Sequence, residues 1–237
     1  MIESRHWPAF EGLFAVYLSN LLRRRFAALH VRGNVPETKD PLIVACQHVA
    51  FWDSLVLFHL SRVWTPPARY DAMMDEKNLV EHKFLRWIGA FGIDRSSKKG
   101  SLAALRHSME LLKTPNLRLL MFPQGKQESM DKRPLTPSAG ASWLAVKSKV
   151  GFFPVALRYE FIEHEKPEIF VSIGAVRKAE KSDEDPVVAA ITSEADGLRD
   201  AVHARDTSSF TTLFSQLKPD PTPRLVAANE SDAQADE

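Results

Sequence analysis

The chain has 237 residues of ordinary globular composition, 44% hydrophobic and 26% charged, and its single cysteine, Cys46, excludes an internal disulfide framework. The net charge of +1 is unevenly divided, because residues 1–133 carry 20 Lys and Arg against 13 Asp and Glu, whereas residues 134–237 carry 11 against 17. A basic half can face an anionic membrane or a phosphorylated substrate, while the absence of zinc-finger spacing and of basic repeats interleaved with aromatics excludes nucleic acid as an expected partner.

The first predicted element is a helix over residues 8–30. Its apolar residues recur at helical spacing and form a wide stripe: Phe10, Leu13, Phe14, Tyr17, Leu18, Leu21 and Leu22. Arg23, Arg24 and Arg25 follow at once. One interpretation is a helix packed on the core with its arginines in water. The other is an amphipathic helix in a membrane interface, with its apolar side in lipid and its arginines against anionic headgroups.

Strands and helices then alternate along the chain. Strands are predicted at 41–46, 68–74, 117–122, 152–158 and 168–174. Helices are predicted at 52–63, 81–90, 101–113, 139–148 and 186–205, and the stretch FGIDR at 91–95 is predicted to form a turn. This alternation predicts an α/β fold in which helices flank a mostly parallel central sheet.

Signatures of several other protein classes are absent from the sequence. No basic segment precedes an apolar core at the N-terminus, and no run of about 18 uncharged apolar residues occurs, so neither a cleavable signal peptide nor a membrane-spanning helix is expected. Walker A, Gly-x-Gly-x-x-Gly and Gly-x-Ser-x-Gly motifs are also missing. His59, His82 and His107 show no metal-ligand grouping with cysteines or carboxylates, so no metal site is expected.

The stretch QHVAFWD at 47–53 places His48 and Asp53 five positions apart. Residues at i and i+5 lie about 140° apart on a regular helix, so these side chains cannot share a helical face. They can meet only if His48 lies in the loop before a helix and Asp53 lies in its first turn. The pair therefore predicts a strand–turn–helix corner; the alternative is a helix-capping Asp53 beside a merely packed His48.

Four stretches together resemble the glycerolipid acyltransferase family that includes the lysophosphatidic acid acyltransferases. They are QHVAFWD (47–53), FGIDR (91–95), FPQGK (122–126) and FFPVAL (152–157). The family carries a His-x4-Asp block, a Gly-x-Ile-x-Arg block, a Phe-Pro-Glu-Gly block and a proline-containing strand block in this order. The resemblance spans about residues 40–160 and implies an α/β acyltransferase of phospholipid biosynthesis.

The resemblance also implies roles for particular residues. His48 would be the general base and Asp53 its partner, which suits acyl transfer to an alcohol because imidazole, with an ordinary pKa near 6.5, can take the hydroxyl proton. Arg95 would bind the phosphate of the acceptor. The loop residues Gln124, Gly125 and Lys126 would contact substrate. No metal or redox cofactor is implied, since acyl-CoA or acyl carrier protein brings an activated thioester as co-substrate.

The third block departs from the family pattern. Gln124 and Gln127 stand where the family has Glu and usually Arg. The lost charges weaken the case for a phosphate-bearing acceptor and predict an altered acceptor choice. The first expectation remains a lysophospholipid such as lysophosphatidic acid, and the alternative is a sugar hydroxyl of a glycolipid or glycosylated isoprenoid. A rival of another class is a non-catalytic, peripheral lipid-binding module.

These features give an expected domain organisation and location. Residues 1–35 would form the N-terminal amphipathic and interfacial helix, residues 36–216 the acyltransferase domain, and residues 217–237 a disordered acidic tail. The expected partners are the acyl donor, a lipid acceptor and an anionic membrane surface. The protein would be cytoplasmic and peripheral on the inner face of the cell membrane.

Overall fold

The computed structural model describes residues 2–63, 68–136, 140–181 and 185–216. The helices are α1 (Pro8–Arg25), α2 (Asp53–Val63), α3 (Glu76–Glu81), α4 (Lys98–Leu111), α5 (Gly140–Ser148) and α6 (Pro186–His203), with a 3₁₀-helix at Lys83–Ile88. The strands are β1 (Ala28–Arg32), β2 (Leu42–Cys46), β3 (Arg69–Asp75), β4 (Ala90–Ile93), β5 (Leu117–Met121), β6 (Gly151–Glu160), β7 (Glu168–Ile173) and β8 (Thr211–Ser215).

The described residues form an eight-stranded sheet in the order β4-β3-β5-β2-β6-β7-β1-β8. Neighbouring strands run parallel in this sheet apart from the antiparallel pairs β6–β7 and β1–β8. Strands β2 and β5 are buried along their whole length, as expected for the centre of a sheet covered by helices on both faces. The predicted α/β fold with a mostly parallel sheet is confirmed.

The register of the central strands determines where the loops meet. Ala45 of β2 lies beside Met121 of β5 on one side and beside Pro154 of β6 on the other, and all three strands run in the same direction. Carboxyl ends of parallel strands share one edge of a sheet, so the loops after β2 and β5 come together there. This edge carries the candidate site.

The predicted helix over residues 8–30 was wrong at its end. α1 stops at Arg25, Phe26 is extended, and residues 28–32 form β1 between β7 and β8. The apolar stripe continued past the arginines without a stop signal, but Ala27 donates its backbone N–H to the carbonyl of Pro167 and the chain enters the sheet. Hydrogen bonds to strands far along the chain override the local helical pattern here.

Two further assignments are corrected. In place of the predicted helix 81–90, α3 ends at Glu81 and a 3₁₀-helix spans Lys83–Ile88. The 3₁₀-helix is followed by Gly89, whose φ of 97° is in the left-handed region. The predicted turn at 91–95 lies largely in β4, which pairs with β3. Strand β8 was not predicted, and the segment 217–237 lies outside the described residues. The division at residues 35 and 36 stays a prediction.

Helix α1 has two different apolar faces. Leu18 and Leu22 are completely buried. The ring of Phe14 packs on the ring of Phe58 in α2, with the ring centroids 5.4 Å apart. On another side, Leu13, Val16 and Tyr17 are 59–70% exposed. The packed-core interpretation therefore accounts for one face and leaves the other uncovered. Within the described ranges, no helix is both long and apolar enough to cross a bilayer.

Candidate active site

The predicted strand–turn–helix corner is present. β2 ends at Cys46, α2 begins at Asp53, and His48 lies in the loop between them. The Nδ1 atom of His48 lies 2.8 Å from Oδ2 of Asp53. An ionised carboxylate can only accept, so Nδ1 carries the ring proton and Nε2 is the nitrogen that can accept one. This is the arrangement that a general base requires.

Asp53 is completely buried and, among the described residues, accepts hydrogen bonds from four donors. The backbone N–H groups of Val49 and Ala50 donate to Oδ2 at 2.7 and 2.9 Å, together with the His48 ring. Tyr159 donates its hydroxyl to Oδ1 at 2.8 Å. A buried carboxylate is costly unless its oxygens are hydrogen-bonded, and this set of donors meets that need. Asp53 therefore both caps the turn and orients the imidazole.

Tyr159 is a site residue that no sequence motif identified. It lies on β6, one residue beyond the predicted strand 152–158. Burial, together with the charge of Asp53, raises the pKa of the Tyr159 hydroxyl well above 10. The phenol therefore stays protonated and donates to Asp53 throughout the pH range in which enzymes work. No local signal could have found this contact, because 106 residues separate its two partners.

Replacing Tyr159 with phenylalanine is expected to lower the free energy of unfolding. The change removes the hydroxyl donor from the buried Asp53 carboxylate, which costs about 1–3 kcal/mol. Thermal melting measures the loss of stability, with Tyr17→Phe, which removes an exposed hydroxyl, as the matched control. An unchanged melting temperature would mean that the Tyr159 hydroxyl does not stabilise the buried carboxylate.

The loop after β5 encloses His48 from a second side. The ring of Phe122 stacks on the imidazole with centroids 4.3 Å apart. Gln124 accepts the backbone N–H of His48 at its Oε1 at 2.6 Å, and its Nε2 donates to Oε2 of Glu128 at 3.0 Å. Both ends of the Gln124 amide are thus bonded within the protein. Glu128 was not singled out in the sequence, although it lies four residues after Gln124.

Arg95 and the 122–126 loop meet at one cleft. A Cβ atom at Gly125, whose φ is 72°, would lie only 3.0 Å from Nη1 of Arg95, so the guanidinium packs directly on this glycine. Arg95, Gln124, Gly125 and Lys126 line the same open cleft beside Phe122. The Lys126 side chain is exposed. The structure therefore brings the predicted cationic residues together next to the His48–Asp53 pair.

Cys46, although only two residues from His48, is not a candidate nucleophile. It is completely buried at the end of β2, and its thiol donates to the carbonyl of Gln47 at 3.1 Å. Burial raises the pKa of this thiol well above its ordinary value. A thiol that remains protonated and lacks access to a substrate is unreactive. Cys46 is therefore a small buried residue that ends a strand.

An apolar cavity lies between α2 and the sheet. Its walls are formed by side chains of α2, β2, β3, β5 and the 3₁₀-helix, including Val44, Leu57, Phe58, Ala72, Leu85 and Leu120. Ser54, the neighbour of Asp53, also lines it. The cavity therefore lies along α2 on one face of the sheet, with the residue after Asp53 in its wall. The sequence alone did not indicate it.

Comparison with known proteins identifies the family. The family described as "Acyltransferase" matches residues 28–158. Two curated relatives, the 1-acyl-sn-glycerol-3-phosphate acyltransferases of Streptococcus pneumoniae and Saccharomyces cerevisiae, are 28% and 27% identical over 132 residues, which is 54% of this chain. These matches cover 46% and 42% of the relatives, so the chain spans less than half the length of either.

A solved structure shows the same fold. The 1-acyl-sn-glycerophosphate (LPA) acyltransferase PlsC from Thermotoga maritima superposes with a TM-score of 0.61, covering 81% of this chain and 79% of that one at 17% identity. The matched family segment includes His48, Asp53, Arg95 and the 122–126 loop, and it covers more than half of the 237 residues. The chain therefore belongs to the acyltransferase family.

Proposed function

We propose that this protein is an O-acyltransferase that moves a fatty acyl group from acyl-CoA or acyl carrier protein to a hydroxyl of a lysophospholipid such as lysophosphatidic acid. The observation that carries the proposal is the 2.8 Å contact between His48 Nδ1 and buried Asp53, beside a cleft lined by Arg95 and Lys126. The names of the curated relatives support the same substrate class.

The proposed reaction follows from the state of the imidazole. Nε2 of His48 takes the proton of the acceptor hydroxyl as its oxygen attacks the thioester carbonyl, while Asp53 stabilises the developing imidazolium. When the tetrahedral intermediate collapses, a carbon–oxygen bond remains, the carbon–sulfur bond breaks, and the imidazolium returns the proton to the departing thiolate. The reaction needs no metal or redox cofactor, because the thioester carbonyl is already activated.

The charges of the cleft favour a phosphate-bearing acceptor. The Arg95 guanidinium can donate two parallel hydrogen bonds to a phosphate, and Lys126 adds a second positive charge. The glycolipid alternative rested on Gln124 and Gln127 as neutral contacts for the acceptor. Since the Gln124 amide is bonded to His48 and Glu128, one of the two reasons for that alternative is weakened.

The apolar cavity suits the acyl chain. The surface that lines it is almost wholly apolar, and Ser54, the residue that follows Asp53, forms part of its wall. An acyl chain threaded from the corner into this cavity would place its thioester near His48 and its methylenes out of water. Each buried methylene contributes about 0.8 kcal/mol, which makes such a cavity a strong binding element for a fatty acid.

Lysophosphatidic acid is expected to be acylated at least tenfold more efficiently than a neutral glycolipid. A charge-assisted hydrogen bond contributes about 1.5–3 kcal/mol, or roughly 10- to 150-fold in specificity. Thiol release from one acyl-CoA, with both acceptors in vesicles of one composition, measures the ratio. Arg95→Ala should remove most of the preference for lysophosphatidic acid. Arg95→Lys keeps the positive charge but cannot donate two parallel hydrogen bonds to the phosphate, so it should retain part of that preference.

Two outcomes would favour the alternatives to a lysophospholipid acyltransferase. A wild-type protein that prefers the glycolipid would establish the sugar hydroxyl as acceptor. A protein that binds vesicles but releases no thiol from acyl-CoA with any acceptor, and transfers nothing from acyl carrier protein, would be the lipid-binding module.

We further propose that the protein binds the cytoplasmic face of the cell membrane through α1. Leu13 and Tyr17 are exposed, and Arg24 follows on the same helical face two turns after Tyr17. Apolar side chains next to exposed arginines suit the boundary between acyl chains and anionic headgroups. A lipid acceptor and a lipid surface would then be reached together.

A further inference from the structure

We propose that Gln124 and Glu128 form a positioning pair that holds the main chain of His48. Gln124 Oε1 accepts the His48 backbone N–H at 2.6 Å, and the Glu128 backbone N–H donates to the His48 carbonyl at 2.9 Å. Both side chains are buried and bonded to each other. Both main-chain polar groups of His48 are thus held by the loop after β5. The effect on activity rests on the proposed function, because only a catalytic His48 makes its position matter for turnover.

The direction of each hydrogen bond explains why position 124 carries an amide. Lys132 and Thr136 donate to Oε1 of Glu128, and they lower the pKa of this carboxyl from its ordinary value near 4.5 to about 2. Ionised Glu128 can only accept, so its neighbour must donate. The His48 N–H can only donate, so the same neighbour must also accept. A glutamine meets both demands, whereas an ionised glutamate meets only the second.

The positioning pair explains the glutamine at position 124, where the family pattern has glutamate, in a different way from the sequence. From the sequence, Gln124 suggested an altered contact with the acceptor. Its two amide groups instead act on His48 and Glu128, so it influences the reaction through the base. Arg95 and exposed Lys126, whose Nζ lies 3.9 Å from Glu128 Oε1, remain in the cleft for the acceptor.

Gln124→Glu is expected to lower acyl transfer about 10- to 100-fold at pH 8, mainly in kcat and to the same extent for every acceptor. The change places two carboxylates about 3 Å apart, and such a pair ionises fully only with difficulty, so one member holds a proton to higher pH. A folded-state pKa raised above the unfolded value stabilises at low pH and loses that contribution as pH rises. The deficits in activity and melting temperature relative to wild type should therefore shrink towards pH 5.

The exchanged pair is the decisive variant. In Gln124→Glu with Glu128→Gln, the new carboxylate at position 124 accepts from the His48 N–H and from the new amide at position 128. The carbonyl of that amide accepts from Lys132 and from the Thr136 hydroxyl, while the Thr136 backbone N–H, which donates to Oε2 of Glu128 at 3.3 Å in the wild type, loses its acceptor. Turnover and melting temperature should return to within about fivefold and a few degrees of wild type. Hydrogen exchange of the His48 amide should be slow in wild type and in the exchanged pair, and fast in Gln124→Met, whose thioether accepts only weakly.

Several results would overturn the pair. These are a Gln124→Glu variant with the pH dependence of wild type, an effect confined to KM for one acceptor, or an exchanged pair no better than Gln124→Glu. Exposed Gln127→Glu is the matched control and should show no pH-dependent deficit in melting temperature. If wild type transfers no acyl group but the exchange restores amide protection and melting temperature, the proposed function fails and the positioning pair stands.

Discussion

Replacing His48 with alanine is expected to lower acyl transfer by about 10²- to 10⁴-fold, the usual contribution of a positioned general base. The fold should survive, because Gln124 and Glu128 hold the backbone of His48 and not its side chain. The variant loses the ring contact with Phe122 and the hydrogen bond to Asp53. Thiol release from acyl-CoA with lysophosphatidic acid present measures the loss, and thermal melting tests the fold. Near-normal turnover in a folded variant would remove His48 from the mechanism.

Asp53→Asn is the companion change that removes charge and keeps geometry. The asparagine carbonyl can accept from the His48 ring and from the backbone of Val49 and Ala50, while its amide can donate to the Tyr159 oxygen. The imidazolium then lacks a counter-charge, so turnover should still fall roughly 10- to 150-fold. An unaffected rate would mean that Asp53 serves only to cap the turn.

Changing Arg23, Arg24 and Arg25 to glutamine is expected to weaken binding to anionic vesicles by roughly 100-fold. Each basic residue near such a surface contributes about 1 kcal/mol, and all three side chains are exposed at the end of α1. The guanidinium carbon of Arg23 also lies 4.8 Å from the centroid of the Phe214 ring, so Arg23 should contribute least of the three arginines to vesicle binding. Co-sedimentation with vesicles measures the change, which should shrink in high salt.

The control removes the same charge from elsewhere: Lys113, Lys147 and Arg205, all exposed, are changed to glutamine. This triple variant should bind vesicles nearly as wild type does. Truncation is a poorer test, because Leu18 and Leu22 are core residues and β1 follows shortly after α1. Equal binding by both triple variants and wild type would leave α1 with its packing role alone.

The sequence by itself was sufficient for features whose cause is local. The His48–Asp53 corner is one, since five residues separate the partners and helix geometry alone requires a turn between them. The central strands are another, because β2 and β5 are short apolar runs buried on both faces. The mostly parallel sheet follows from the alternation of such runs with amphipathic helices, and it brings the blocks containing Asp53 and Gln124 to one edge.

The distant groups that complete the site could be identified only from the three-dimensional structure. Tyr159 is hydrogen-bonded to Asp53, 106 residues away, and Gln124 is hydrogen-bonded to His48, 76 residues away. Local sequence periodicity cannot predict hydrogen bonds between residues so far apart in the chain. For the same reason residues 28–30 of β1 were taken as helix and β8 was missed, since the partners of both strands in the sheet lie far along the chain. A side chain's type shows which bonds it can make, whereas packing determines which of them it makes. Gln124 was therefore recognised as a departure from the family pattern, but its role beside His48 emerged only from the fold.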